Sequence, residues 1–246
     1  IGTGATAVQI APRLAGQAGQ LFVFQRTPSA VDIRANSRTE PDWFSSQPKG
    51  WQRERMENFL AVVSGQKVER NLVADHWGDL WVRFGELMKE RFRPGGDIAP
   101  ADLMQISDYE KMEALRARVA TEVQATDVAD RLKPWYNFLC KRPLYSDEYL
   151  PIFNRDDVTL VDTDGRGVER ITERGLIANG EEFELDLIVF ATGFDVGAPP
   201  HKVGEYQITG RGGQTLEDRW QGNFRSLHGT QFSGFPNLHL IGGTLE

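Results

Sequence analysis

Gly2-Thr3-Gly4-Ala5-Thr6-Ala7, continued by Val8-Gln9-Ile10-Ala11-Pro12-Arg13-Leu14, reads as G-x-G-x-x-A opening a helix. In a dinucleotide-binding turn the first glycine permits the tight turn and the second lets a pyrophosphate approach the backbone. The small third residue lets the helix pack closely. The helix N-terminus then offers unpaired N–H groups to the anion. Such a turn needs a strand leading into it, and only Ile1 precedes Gly2. A nicotinamide or flavin nucleotide is therefore the expected ligand, and the chain is expected to be a piece of a longer protein.

Working outward, the helix is expected to run to about Gly16 and to be followed by a strand at Leu21-Phe22-Val23-Phe24. Gln25-Arg26-Thr27-Pro28 ends that strand, because proline has no N–H to donate. An NAD site carries Asp or Glu at this distance from the turn, for the ribose hydroxyls. Arg26 stands there instead, followed by Thr27. A guanidinium suits a 2′-phosphate, which favours NADPH over NADH. The competing reading is a solvated charge at a strand end.

The remaining chain divides by composition. Residues 1–36 have the β-α-β order of the first part of an NADPH-binding domain. Residues 37–138 read as a helical insertion: Trp77, Leu80, Trp81, Phe84, Leu87 and Met88 recur at helical spacing. Ser107-Asp108-Tyr109-Glu110 reads as a capping-box start, after which Met112, Leu115, Val119 and Val123 line one face. Arg93-Pro94-Gly95-Gly96 stops the helix before it. Residues 139–190 return to strands as the second part of the nucleotide domain, with a strand at 157–163 and short antiparallel pieces around Gly175 and Asn179-Gly180. Leu187-Ile188-Val189-Phe190 is a continuous apolar run, the pattern of a strand buried on both faces, and ends in Ala191-Thr192-Gly193. Residues 191–246 form the last part, in which Leu238-His239-Leu240-Ile241 is expected to be another buried strand, running into Gly242-Gly243.

Composition excludes several classes. A net charge of −7 argues against nucleic-acid binding, which needs surplus clustered Lys and Arg. No apolar run is long enough to span a bilayer. The single Cys140 rules out internal disulfides, reads as a small buried residue, and fits a reducing, cytoplasmic setting. His76, His201, His228 and His239 lack metal-ligand spacing, and no metal site is expected. Cys140-Lys141-Arg142-Pro143 places two adjacent cations before a proline, a pair able to meet phosphates or an anionic intermediate. Taken alone, it reads equally as solvated surface. Ala191-Thr192-Gly193 is either a close-approach point for a ligand or an ordinary glycine turn. Trp43, Trp51 and Trp135 are candidates for a substrate pocket, with helix packing as the commoner role.

Taken in order, Gly2 to Gln9, Phe24-Gln25-Arg26-Thr27-Pro28, Cys140-Lys141-Arg142-Pro143, Phe190-Ala191-Thr192-Gly193-Phe194 and Gly234-Phe235-Pro236-Asn237-Leu238 resemble the ordered motifs of class B flavoprotein Baeyer–Villiger monooxygenases. The stretch from Gly50 to Phe59 resembles the branch acting on large cyclic ketones and steroids. The resemblance implies an α/β fold: a Rossmann-like NADPH-binding domain with a helical insertion, plus the C-terminal part of an FAD-binding domain. It implies FAD and NADPH as cofactors, and a ketone and O2 as substrates, with one oxygen inserted next to the carbonyl to give an ester or lactone.

Residue by residue, Gly2, Thr3, Gly4, Ala5, Thr6, Ala7 and Gln9 match the NADPH fingerprint, and Arg26, Thr27 and Lys141 match contacts to the 2′-phosphate. Arg142 matches the catalytic arginine beside the flavin. Ala191, Thr192 and Gly193 match the strand joining the two nucleotide domains, and Gly242 and Gly243 fall near the flavin. Two departures stand out. The FAD fingerprint and the histidine-bearing signature that precede the NADPH fingerprint are absent, and Gly242-Gly243-Thr244 stands where the family commonly has Gly-Pro. The chain therefore resembles the C-terminal portion of such an enzyme, starting at the NADPH turn. Rival expectations are a flavin monooxygenase oxidising nitrogen or sulfur and, for this chain alone, an inactive NADPH-binding fragment.

Overall fold

The computed structural model describes residues 1–36, 38–73, 76–194, 206–221 and 225–241. The chain divides into two compact units, Ile1–Gly193 and Phe194–Glu246.

The first unit is built around a parallel pair. Helix α1 (Ala5–Ala15) leads to β1 (Leu21–Gln25), which pairs in parallel with β4 (Val158–Asp162), Leu21 opposite Val158 and Gln25 opposite Asp162. Side chains alternate across a strand, so the two faces of this pair are covered differently. Val23, Val158 and Leu160 join Val8, Ala11 and Ala15 of α1 in one core. Phe22, Phe24 and Val161 face Leu176, Ala178 and Phe183 in another. That second face is closed by an antiparallel meander, β5 (Arg170–Ile171), β6 (Gly175–Ala178) and β7 (Glu181–Glu184), with the turn at Asn179-Gly180.

A second parallel pair, β2 (Val31–Asp32) and β3 (Leu144–Tyr145), joins chain segments separated by the helical insertion. The insertion holds α2 (Trp43–Ser46), α3 (Trp51–Val63), α4 (Asp79–Arg91), α5 (Pro100–Glu122) and α6 (Thr126–Leu132). Leu80, Met112, Leu115 and Phe138 form its own core, while Val119, Val123, Ala129 and Leu132 join the core beneath the sheet. The guanidinium of Arg118, 8% exposed, donates to the carbonyls of Val31 and Ser146 and fixes α5 to the second pair.

Four expectations are corrected. Ser107-Asp108 lies in the middle of α5 and not at its start. The helix opens at Pro100, where the Asp102 carboxylate accepts from the Ala99 amide. Ser107 instead donates to the carbonyl of Leu80, and Asp108 accepts from the Phe138 amide, so these polar groups tie helices together instead of capping one. Leu187–Phe190 is not a strand, and Leu187 and Phe190 are exposed. Its inner neighbour is Ile1 alone, which donates to Val189 O and accepts from Ala191 N, and two bonds do not make a ladder. Cys140 is exposed, at the end of a 3-10 turn over Phe138–Cys140 whose Phe138 takes the buried place.

The fourth correction falls in the second unit. There α7 (Leu216–Trp220) packs on a hairpin of β8 (Gln231–Phe232) and β9 (Phe235–His239) through Leu216, Phe232 and Phe235. The expected buried run is a surface strand: among the described residues β9 pairs on one side only, His239 is exposed, and Ile241 is 93% exposed.

Candidate functional site

The glycine turn forms as its sequence requires. Gly2 adopts φ +102°, a conformation open to glycine. A Cβ there would sit inside contact distance of the Ala191 carbonyl oxygen. The Gly2 amide donates to Phe24 O, so the turn is held between β1 and the segment ending at Ala191. Gly4 has φ −78°, and a Cβ on it would meet no protein atom within 4 Å. Packing within the protein thus accounts for Gly2 and leaves Gly4 facing open space. Ala7 is buried, as the small residue of the fingerprint requires. No side chain caps α1, and its first turn has no acidic residue. Ala5, Gly4 and Thr6 border that uncapped end, and the Gln9 side chain turns back to donate to Ala5 O.

The turn is braced by Thr3 and Thr27, which the sequence singled out for the nucleotide, and by Ser29, which it did not. Thr3 is buried and its hydroxyl donates to Thr27 O at 2.9 Å, while Ser29 donates to Thr3 O at 2.6 Å. The exposed residue after β1, Arg26, is thereby set at a fixed distance from the turn. On its other side the Gly165 amide donates to Arg26 O, and the buried hydroxyl of Thr163 ties β4 to Gln25.

Lys141 and Arg142 reach the same edge through the second parallel pair. The Leu144 amide donates to Ala30 O, which carries residues 141–143 alongside residues 27–29. Burial lowers the Lys141 pKa below the usual lysine range, and the positive charge of Arg26 lowers it further. Arg26, Lys141 and Arg142 form no ion pair among the described residues. Arg142 lines a groove of about 640 Å³ together with Ala5, Gln9, Arg34, His76, Trp77 and Tyr145. Cations without an ion pair among the described residues, together with an uncapped helix N-terminus, are groups that attract a polyanionic ligand.

Ala191, Thr192 and Gly193 follow the segment bonded to Ile1, with Ala191 buried and the next two exposed. Gly242 and Gly243 lie outside the described residues. Trp43 and Trp51 pack edge to face at 4.9 Å, whereas Trp135 is 74% exposed under the guanidinium of Arg116. Among the described residues, Asp32, His76 and Asp79 bring three metal-type ligands together. The ammonium of Lys111 bridges both carboxylates, at 2.5 and 2.9 Å, and takes the position a metal cation would need.

No family model matches the chain. A Baeyer–Villiger monooxygenase of Streptomyces coelicolor is 49% identical over 99% of this chain. The polycyclic ketone monooxygenase of the thermophilic fungus Thermothelomyces thermophila superimposes with a TM-score of 0.80 at 38% identity over 97% of the chain. Over nearly its whole length the chain is similar to Baeyer–Villiger monooxygenases. OTEMO, solved in complex with FAD and NADP, matches with a TM-score of 0.69 at 27% identity over 98% of the chain. The chain spans about two fifths of the length of these relatives: 41% of the Streptomyces protein, 40% of the fungal one and 46% of OTEMO. It shares with them an α/β, Rossmann-like fold carrying a helical insertion.

Proposed function

We propose that this chain is the NADPH-reading part of an FAD- and NADPH-dependent monooxygenase. In the overall reaction, ketone, O2, NADPH and a proton give ester or lactone, water and NADP⁺. The observation that carries the reading is the meeting of Arg26 and Lys141, both without carboxylate partners among the described residues, beside the bare N-terminus of α1.

The residues fit NADPH. The α1 N-terminus and the open face of Gly4 take the pyrophosphate, while Arg26, Thr27 and Lys141 take the 2′-phosphate. Ala191, Thr192 and Gly193 border the turn where backbone and nucleotide approach closely, and Gly242 and Gly243 are assigned to FAD. FAD, when bound, supplies the redox chemistry with O2. Arg142 holds a fixed positive charge toward the reacting centre and stabilises negative charge that develops during oxygen transfer. Gln9, which lines the same groove, contributes a further polar contact to the nucleotide.

The substrate is a bulky cyclic ketone, as supported by the 38% identity to a polycyclic ketone monooxygenase and by the aromatic side chains of the insertion. The relatives' names favour ketone oxidation over nitrogen or sulfur oxidation, and an enzyme over an inactive binding module. The test supplies the full-length protein with NADPH, ¹⁸O2 and separately a polycyclic ketone and a thioether. A lactone bearing one ¹⁸O atom is expected. Sulfoxide without any lactone would overturn the ketone assignment.

A further inference from the structure

Tyr136 links the two halves of the cationic edge, and no motif of the sequence pointed to it. Its hydroxyl accepts from the Ala30 amide at 2.8 Å and donates to the Pro28 carbonyl at 3.1 Å. Those two bonds close the loop that follows Arg26 and Thr27, just before β2. Its ring lies beneath the ammonium of Lys141, with Nζ 4.7 Å from the ring centroid. Both contacts belong to one half-buried side chain, in the segment between α6 and β3. We propose that Tyr136 is a positioning residue of the 2′-phosphate site, holding Lys141 on its ring face and the Arg26–Ala30 loop on its hydroxyl.

The physical case rests on what Lys141 lacks. An ammonium on a four-carbon stem has many rotamers, and ordering it for one phosphate costs conformational entropy. No carboxylate among the described residues fixes it, and Arg26 repels it. The negative face of an aromatic ring attracts a cation while leaving its donors free for an incoming anion, which a carboxylate would not. A ring here holds Lys141 close to Arg26 before the phosphate arrives, so less order has to be imposed on binding. The hydroxyl acts separately: it satisfies the Ala30 amide and the Pro28 carbonyl at the two ends of a three-residue turn.

This inference rests on the NADPH reading above, and the experiment separates the two. In the full-length protein, the affinities of adenosine 2′,5′-bisphosphate and 5′-AMP are measured by calorimetry, together with kcat/KM for NADPH and NADH. The variants are Tyr136→Leu, Tyr136→Met, Tyr136→Phe, Arg26→Ala, Lys141→Ala and Tyr136→Leu in the Lys141→Ala background. The non-aromatic variants are expected to lower the bisphosphate-to-AMP affinity ratio and the NADPH-to-NADH preference by about tenfold, whereas Tyr136→Phe keeps the ring and most of both. Without Lys141, Tyr136→Leu is expected to have no further effect on either ratio, since the ring acts through that ammonium. Met provides a second ring-free variant should Leu fail to fold. Equal weakening of both ligands, or an undiminished effect without Lys141, would overturn the positioning role. If Lys141→Ala and Arg26→Ala both leave the ratios unchanged, the phosphate site itself fails and takes this role with it.

Discussion

The amide of Leu144 donates to the carbonyl of Ala30 at 3.1 Å, and this single rung places Lys141 and Arg142 beside the loop that follows Arg26. The partners are 114 residues apart in sequence, with the helical insertion between them. A parallel pair of two residues would be marginal alone. Here Arg118 secures it from α5 through Val31 O and Ser146 O, and Leu144 is buried in the main core.

Gly2 and Gly4 are expected to respond differently to the same added methyl group. Gly2→Ala meets the Ala191 carbonyl at a positive φ, a combination expected to cost roughly 1–3 kcal/mol or more of stability. Gly4→Ala has an allowed φ and open space, so stability should stay within about 0.5 kcal/mol, while its Cβ intrudes where the pyrophosphate approaches. Denaturant unfolding and NADPH titration on both variants separate the two effects. A Gly4→Ala protein that binds NADPH normally would remove the second glycine from the site.

Arg26→Ala should lose discrimination between nucleotides rather than activity in general. A charge-assisted hydrogen bond contributes about 1.5–3 kcal/mol, so KM for NADPH is expected to rise roughly tenfold to a hundredfold while KM for NADH changes little. Steady-state kinetics with both nucleotides checks it, and equal effects on the two would withdraw the phosphate reading.

Lys141 carries a pH signature. Burial first, and Arg26 second, lower its pKa, so in the free protein it loses its proton at lower pH than an ordinary lysine. Only the ammonium attracts the 2′-phosphate. Affinity for adenosine 2′,5′-bisphosphate is therefore expected to fall on the alkaline side earlier than a lysine of normal pKa would allow. Lys141→Arg, which keeps its charge throughout, should flatten that limb. A limb unchanged in Lys141→Arg would assign the titration to another group.

The nucleotide turn, its helix, β1, the meander and the insertion are legible in the sequence because each has a local cause: a glycine pattern, an apolar alternation, a turn dipeptide or a 3.6-residue period. What failed depended on partners distant in the chain. Ser107-Asp108 has the chemistry of a cap, but buried carbonyl and amide groups of Leu80 and Phe138 claim its hydrogen bonds. Leu187–Phe190 has the composition of a central strand, but only Ile1 pairs with it on the inner side. The cations of the site were recognisable as types at Arg26, Lys141 and Arg142. Their meeting was not, because the β2–β3 register creates it. Ser29 and Tyr136 carried no signal, since hydroxyls that brace a loop look like any others.

Lys111 offers a test of the framework behind Arg142. Its ammonium, 10% exposed, bridges the nearly buried Asp32 of β2 and Asp79 at the start of α4. Lys111→Ala strands a buried carboxylate and is expected to cost about 3–5 kcal/mol in denaturant unfolding, whereas Lys111→Met combined with Asp32→Asn should recover much of it. Burial alone would raise the Asp79 pKa, but hydrogen bonds from Lys111 and His76 outweigh it and hold that carboxyl below its ordinary 3.8. A depressed folded-state pKa contributes stability that is complete above the unfolded value and lost as pH falls through the folded one. The wild type is therefore expected to lose this contribution only below about pH 3.8, and Lys111→Ala to reduce it. A variant as stable as the wild type would show that the bridge is not part of the framework.

Arg142 is where the proposed chemistry is most exposed to test. It shares its groove with Gln9 at the bare end of α1 and has no carboxylate partner among the described residues, so its charge is available to a ligand. Removing one preorganised charge or donor from a dry site typically costs about a hundredfold to a thousandfold in kcat. Arg142→Ala in the full-length enzyme is expected to abolish lactone formation to that extent. Arg142→Lys keeps a charge but loses the planar fork of donors, and should recover only a fraction of the loss. Neither substitution touches Arg26 or Lys141, so the preference for NADPH over NADH should survive in the residual nucleotide oxidation. Product chromatography beside nucleotide consumption distinguishes the outcomes. Near-normal lactone yield from Arg142→Ala would exclude this residue as the catalytic arginine, and lost NADPH preference would place it in the phosphate site instead.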